Sequence, residues 1–193
     1  MPKAPGRKQA TRSRILAAAG RRLRAEGLEG AGVAEIMAAA GLTHGGFYAH
    51  FAGKEALIAE ALAAALAEGR AAWLAGLEGM PPEEACRHIL GRYLSRSHRD
   101  APERGCAAAA CAGELARHGR ETRAHFERAL SASLAALAAH MPGSRPEQRR
   151  NQAIATFALC LGGLLLARAV ADPELSDAVL LACRRAGQAA SLA

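Results

Sequence analysis

The sequence predicts an all-α protein: a three-helix head carrying a helix-turn-helix, followed by a larger helical body, about nine helices in all. Three observations carry this. Ala, Leu, Arg and Glu dominate while aromatic residues make up only 4% of 193 positions, a composition rich in strong helix formers. No segment alternates β-branched and polar residues as a half-buried strand would. The prolines fall between apolar stretches of helical period rather than inside them. Two units are expected, a head over residues 1–53 and a body over residues 54–193, long enough together to bury a core without metal or disulfide staples.

The first helix is expected from about Lys8 to Glu26, with Ile15, Leu16, Ala19 and Leu23 on one face. Arg12, Arg14, Arg21 and Arg22 decorate the others, and Gly27 is placed to stop it. A glycine-containing loop leads to a short helix over Val33–Ala40, with Val33, Ile36 and Met37 inward and Gly41 at its end. Thr43 is placed to cap a third short helix carrying Phe47, Tyr48 and Phe51. Lys54 then opens a long helix through Leu57, Ile58, Leu62, Leu66 and Trp73, expected to break near Met80-Pro81-Pro82. The body continues with helices over Glu83–His98, Gly105–Arg117, Arg120–His140, Pro146–Ala171 and Glu174–Leu192. Pro146 and Pro173 stand where a first-turn proline is tolerated.

Charge is distributed unevenly. Residues 1–54 hold nine bases, Lys3 among them, against three acids, so the first quarter carries +6 of the +7 net charge. A basic end on a neutral body is the electrostatic footprint of a polyanion binder. The N-terminus lacks the apolar region of a secretory signal. The longest apolar run, Ala153–Ala167, falls short of the roughly 18–20 residues that span a bilayer. Five cysteines without paired spacing fit a reducing compartment, and the expected location is the cytoplasm, away from membranes.

Two short helices across a glycine-containing turn make a helix-turn-helix, whose second helix must bring polar groups to base edges and phosphates. The segment Leu42–Phe51 supplies these parts. Thr43 and His44 begin it, Gly45 and Gly46 carry no side chain to hold the backbone off a duplex, and Tyr48 and His50 can donate to phosphate oxygens. Lys54 follows at a helix N-terminus, where its charge and the helix dipole both favour a phosphate. Phe47 and Phe51 are expected as core plugs.

The run from Thr11 to Leu62 resembles the DNA-binding domain of the tetracycline-repressor (TetR) family of bacterial regulators. The likeness rests on Thr11-Arg12-Ser13-Arg14-Ile15-Leu16, Gly27-Leu28-Glu29-Gly30, Val33-Ala34-Glu35-Ile36 and the continuous stretch Ala40–Leu57. It departs at Gly32-Val33, where the family often has a threonine or serine cap, and at Ala49, where a histidine or tyrosine is frequent. The resemblance implies contacts to double-stranded DNA from Thr43, His44, Gly45, Tyr48, His50 and Lys54. It further implies a homodimer through the last two helices, bound to a palindromic operator and released by a small molecule. No enzymatic activity and no cofactor are implied.

Within the body, Ile154, Phe157, Leu161, Leu164 and Leu165 form an apolar stripe beside Gly162-Gly163, and Leu175, Val179, Leu180 and Cys183 form another. A buried hairpin or a four-helix dimer interface explains both equally. The segment Arg104-Gly105-Cys106 through Cys111 resembles a family branch with a Gly-Cys pair opening the sixth helix, and some members of the family use such a cysteine to sense electrophiles or oxidants. A thiol in a first helical turn beside Arg104 would have a lowered pKa. A small buried apolar residue is the plainer reading of Cys106. Trp73, Tyr93, Leu94, Cys111, Phe126 and Leu130 are candidate lining residues of a body pocket for an unidentified effector. Cys111, His118 and His125 recur every seven residues, about 10 Å apart along a helix, too far to share one metal ion.

Two other classes of function compete. One is an all-helical thiol redox enzyme using Cys106 and Cys111, although four residues intervene where redox pairs usually have two. The other is an architectural DNA binder without sequence preference.

Overall fold

The computed structural model describes residues 6–190 and is all-helical among them. Lys3 of the basic head and Leu192, the expected end of the last helix, lie outside the described residues. Helix α1 spans Arg7–Glu26 and α2 spans Val33–Ala39. A six-residue 3-10 helix follows at His44–Ala49, and then α3 at Lys54–Leu74. Ile15, Ala18, Ala19 and Leu23 of α1 are buried at helical spacing, against Leu57, Ala61, Leu62 and Ala65 of α3 and Ile36 and Met37 of α2. The head is therefore built onto the first half of α3. Phe47 and Phe51 are buried and stacked with centroids 5.9 Å apart, plugging the space under the turn as expected.

Helix α3 ends earlier than the sequence suggests. It stops at Leu74 with Ala75 extended, before the prolines are reached. The cause lies on another helix. The Arg92 guanidinium donates through Nη1 to the carbonyls of Ala72, Trp73 and Ala75 at 2.9, 2.9 and 3.0 Å. It thereby satisfies acceptors that a continuing helix would have consumed.

The expected single helix Glu83–His98 is two. Helix α4 spans Pro82–Tyr93, and α5 is one turn at Arg96–Arg99. Ser95 Oγ accepts from the His98 amide, and the His98 ring bonds the Tyr93 carbonyl at 2.7 Å. Side chains here take over the backbone groups that helix continuation needs. A 3-10 turn, Pro102–Arg104, precedes α6 at Ala107–Leu115. Then come α7 at Arg120–Ala138, α8 at Pro146–Ala169 and α9 at Pro173–Ala190. The α9 start is capped by Asp172, whose carboxylate accepts from the amides of Glu174 and Leu175.

Helices α8 and α9 pack as a hairpin, and they divide their apolar residues between two faces. Phe157, Leu164 and Leu180 are buried within the subunit. Gly163 permits that packing, since a Cβ there would lie 2.9 Å from Cys183 Sγ and 3.0 Å from a Leu94 methyl. Ile154, Leu165, Leu166, Leu175 and Leu181 instead face outward, 38–58% exposed. The stripe expected of Ile154, Phe157, Leu161, Leu164 and Leu165 is thus split, with Phe157 and Leu164 inward and Ile154 and Leu165 outward. Among the described residues α8 also passes, by length and composition alone, for a helix able to cross a membrane, its most apolar 18-residue window having a mean hydropathy of 1.6.

Candidate nucleic-acid interface

The turn between α2 and the 3-10 helix is closed by the Leu42 amide on the Met37 carbonyl at 2.9 Å and by the Gly41 amide on Ala38. The following segment is 3-10 rather than α-helical, beginning with the Gly46 amide on the Thr43 carbonyl at 3.1 Å. Thr43 occupies the cap position with an extended backbone, but its hydroxyl caps nothing. That corrects the expected capping role and leaves the hydroxyl available outward.

Thr43, His44, Gly45, Tyr48 and Lys54 are all exposed. Tyr48 is 70% exposed, its ring held edge-on by buried Phe47 at 5.1 Å. An aromatic ring left in water on a rigid support, with its hydroxyl outward, is suited to a partner that is apolar at the ring and polar at the tip. A Cβ built on Gly45 would meet nothing within 4 Å, so no neighbour inside the subunit requires glycine there. Lys54 opens α3, whose first turn has no side-chain cap; the uncapped amides and the positive dipole end lie at the same helix terminus as Lys54. His50 fits less well. It is half-buried with Nδ1 enclosed and unpaired, which leaves Nε2 as the nitrogen able to reach a phosphate.

The head's cations are not all available to a polyanion. Arg12 pairs with Glu60 and lies over the Phe51 ring at 4.7 Å. Arg14 donates to the Ala40 carbonyl, and Arg22 binds Glu26 and the Gly30 carbonyl. Arg24, 7% exposed, reaches the Ala65 carbonyl and Glu68. Arg12 and Arg24 hold α1 to α3, Arg14 holds it to the end of α2, and Arg22 holds it to the loop between α1 and α2. Among the described residues Arg7, Lys8, Arg21 and Lys54 make no side-chain hydrogen bond or ion pair. The charge count of the sequence therefore overstates the cations free to meet phosphate.

A contact that the sequence does not signal ties the body to this head. Glu114 of α6 accepts through Oε2 from the amides of Leu28 and Glu29, at 2.9 and 3.0 Å, in the loop after α1. Gly27, with φ +76°, makes room for it; a Cβ there would sit 2.1 Å from the carboxylate. Such a position suits only glycine on both counts. On the same helix Cys111 Sγ lies 3.5 Å from the Leu23 carbonyl.

The sensor candidates are not gathered into one pocket. Trp73 and Tyr93 meet with centroids 5.0 Å apart, and Phe157 completes the cluster at 5.8 Å from Trp73. Tyr93, Leu94 and Cys111 are fully buried, while Phe126 and Leu130 are partly buried against the core. The cavity that touches Trp73 is an open groove lined by Arg92, Ser95, Ser97, His98 and Arg104. Cys106 is 1% exposed and precedes the first turn of α6 with an extended backbone. Burial pushes its thiol pKa up, outweighing the hydrogen bonds that lower it. Arg104 is mostly exposed and turned to Glu103. The expected lowered pKa is thus corrected. Burial likewise raises Cys111, to about 12.

Cys106 is instead the backbone partner of a histidine. His98 Nε2 accepts from the Cys106 amide at 3.0 Å while Nδ1 donates to Tyr93, so the ring sits neutral between α4 and the start of α6. Burial lowers its pKa, and Arg168 lowers it further against the Tyr93 carbonyl. A base depressed in the fold contributes stability that is complete above its unfolded pKa of about 6.5 and is lost as pH falls below that. The urea midpoint is expected to drop between pH 7 and pH 5, and His98→Gln to start lower at pH 7 but flatten that drop. Equal slopes for the two proteins would assign the pH dependence elsewhere.

Comparisons with known proteins agree with this geometry. A sequence model described as bacterial regulatory proteins of the tetR family matches residues 15–61. No curated protein sequence is similar enough to count as a match. Solved structures share the fold across nearly the whole chain. A TetR-family transcriptional regulator from Cytophaga hutchinsonii is 19% identical with a TM-score of 0.79, covering 98% of each chain. The reduced form of NemR from E. coli is 20% identical with a TM-score of 0.73, covering 92% of this chain and 95% of that one. A TetR transcriptional regulator from Chloroflexus aurantiacus is 22% identical with a TM-score of 0.73, covering 94% of each. The chain thus has the TetR-like fold with an N-terminal helix-turn-helix.

Proposed function

We propose that this chain is a homodimeric transcriptional repressor that binds a palindromic double-stranded operator through residues 1–53 and is released by a small-molecule effector acting on the body. The observation that carries this is the exposure of Thr43, His44, Gly45 and Tyr48 in and beside the second helix of a helix-turn-helix, with exposed Lys54 at the start of α3. Thr43 and His44 read bases, Gly45 allows close approach, and Tyr48, His50 and Lys54 hold phosphates. The outward apolar residues of α8 and α9 supply the pairing surface, and pairing sets two heads about one helical turn of DNA apart. A thiol-reactive trigger draws less support, because Cys106 and Cys111 are buried with raised pKa values. The same burial counts against a thiol enzyme built on that pair.

Selection of bound sequences from a random DNA pool tests the reading. A two-fold-symmetric site with half-sites one turn apart is expected. Uniform recovery of all sequences, with affinity set by salt alone, would mark an architectural binder and end the proposal.

A further inference from the structure

We propose that α6 is a strut that carries acidification from the body to the DNA-reading head. Protonation of His98 frees its first end, and the freed helix loosens the grip of Glu114 on the loop after α1. Each end is held by one side chain that bonds main chain. At the start, His98 Nε2 accepts from the Cys106 amide at 3.0 Å. At the far end, Glu114 Oε2 accepts from the Leu28 and Glu29 amides at 2.9 and 3.0 Å. About 12 Å of helix separates the two bonds, at 1.5 Å per residue. The buried face between them is mostly alanine. Alanines set shallow ridges against neighbouring helices, which leaves much of the placement of α6 to the bonds at its ends.

The His98 ring fits in one protonation state. Nδ1 faces the Tyr93 carbonyl at 2.7 Å, an acceptor, and so carries the proton. Nε2 must stay bare to accept from Cys106. A second proton would set N–H against N–H. It would also set a cation beside Arg168, whose guanidinium donates to the His98 and Arg99 carbonyls. A Cβ on Gly105 would lie 2.9 Å from Arg168 Nη2 and 3.0 Å from His98 Nε2, so both groups crowd the same glycine.

Nothing else around the ring favours an imidazolium. Tyr93 meets it edge-on at 4.6 Å and, like the Cys106 thiol, is held neutral by burial. Arg92 and Arg104 line the same groove as His98 and are themselves cations. The nearby carboxylates are taken, Asp100 by Arg99 and Glu103 by Arg104. Burial first, and Arg168 after it, lower the pKa of the ring. Once the bond to Cys106 opens, the ring meets water and regains its ordinary pKa of about 6.5. Opening is then favoured by up to about tenfold per pH unit below that value, roughly thirtyfold at pH 5.0. The strut itself needs no nucleic acid, whereas its effect on DNA affinity rests on the repressor reading above.

Amide hydrogen exchange of the full-length protein without DNA, at pH 7.5 and 5.0 and corrected for intrinsic rates, tests the strut. In the unmodified chain the Cys106, Leu28 and Glu29 amides are expected to exchange ahead of the α8 core and to lose protection together, by about five- to thirtyfold. His98→Gln should abolish the pH-dependent loss at Leu28 and Glu29. Glu114→Ala should leave those two amides unprotected at both pH values while Cys106 keeps its response. On a selected symmetric DNA site, the unmodified protein is expected to lose affinity at least fivefold relative to His98→Gln over the same interval, a ratio that cancels the charge gained by His44 and His50. Coupled loss of protection in a protein that selects no DNA sequence would uphold the strut and end the repressor reading alone. The proposal is overturned if Cys106 loosens while Leu28 and Glu29 hold, if His98→Gln keeps the full pH response, if the three amides exchange only with the α8 core, or if the affinity ratio on a symmetric site does not move.

Discussion

Glutamate at both Leu165 and Leu181 is expected to give a folded monomer whose affinity for the selected DNA site is lower by about 10²- to 10⁴-fold, the range lost when two linked binding events become separate. Both side chains are 40–42% exposed, and their buried neighbours Leu164 and Leu180 keep the α8–α9 packing inside the subunit. Substitution at such positions usually changes stability within about 0.5 kcal/mol. In a dimer paired through this face the same change sets carboxylates into a dry interface without partners, at a cost of several kcal/mol per ion. Stability and association should therefore part company. Sedimentation velocity and thermal denaturation on one preparation separate them. A double variant that remains dimeric would move the pairing surface elsewhere. Wild-type chains that stay monomeric but bind lipid vesicles would give the apolar face of α8 to a membrane.

The second large effect concerns the head. Tyr48→Ala with Lys54→Ala removes two phosphate-directed groups from each head, four in a bound dimer. At about 1 kcal/mol each the loss is about 4 kcal/mol, close to three orders of magnitude in affinity. The loss should be the same for every DNA sequence, because phosphates carry no base identity. Removal of Lys54 should also reduce the slope of log affinity against log salt by about one per head. Folding should be unaffected, since Tyr48 and Lys54 are both exposed and make no side-chain hydrogen bond or ion pair among the described residues. Thr43 and His44 substitutions should instead change which bases are preferred. Wild-type affinity in the Tyr48/Lys54 double variant would show that the 3-10 helix does not meet DNA.

Much of the head was legible from local signals. Apolar spacing identified Ile15, Leu23, Ile36 and Met37 as core, and the glycines at 27 and 41 marked the helix ends. The joined motif from Thr11 to Leu57 placed Phe47 and Phe51 inward and Tyr48 outward. What escaped the sequence depends on partners far along the chain. Arg92 halts α3 from 17 to 20 residues away. Arg12 and Arg24 look like free surface cations until α3 brings Glu60 and Glu68 to them. Cys106 reads as an activated thiol from its neighbours in sequence, yet burial decides its chemistry the other way. The outward and inward leucines of α8 share one run, and only the helix hairpin sorts them.

The junction made by Glu114 has a consequence for how such proteins diversify. Its carboxylate grips the amides of Leu28 and Glu29 and touches neither side chain through these bonds. Any residues except proline offer the same two amides. A joint that recognises main chain is indifferent to the sequence it holds. The reading surface can therefore drift, and even be exchanged for one with other base preferences, while the body keeps the same grip. The glycine at position 27 must travel with it, along with the α1 side chains that pack on and pair with α3.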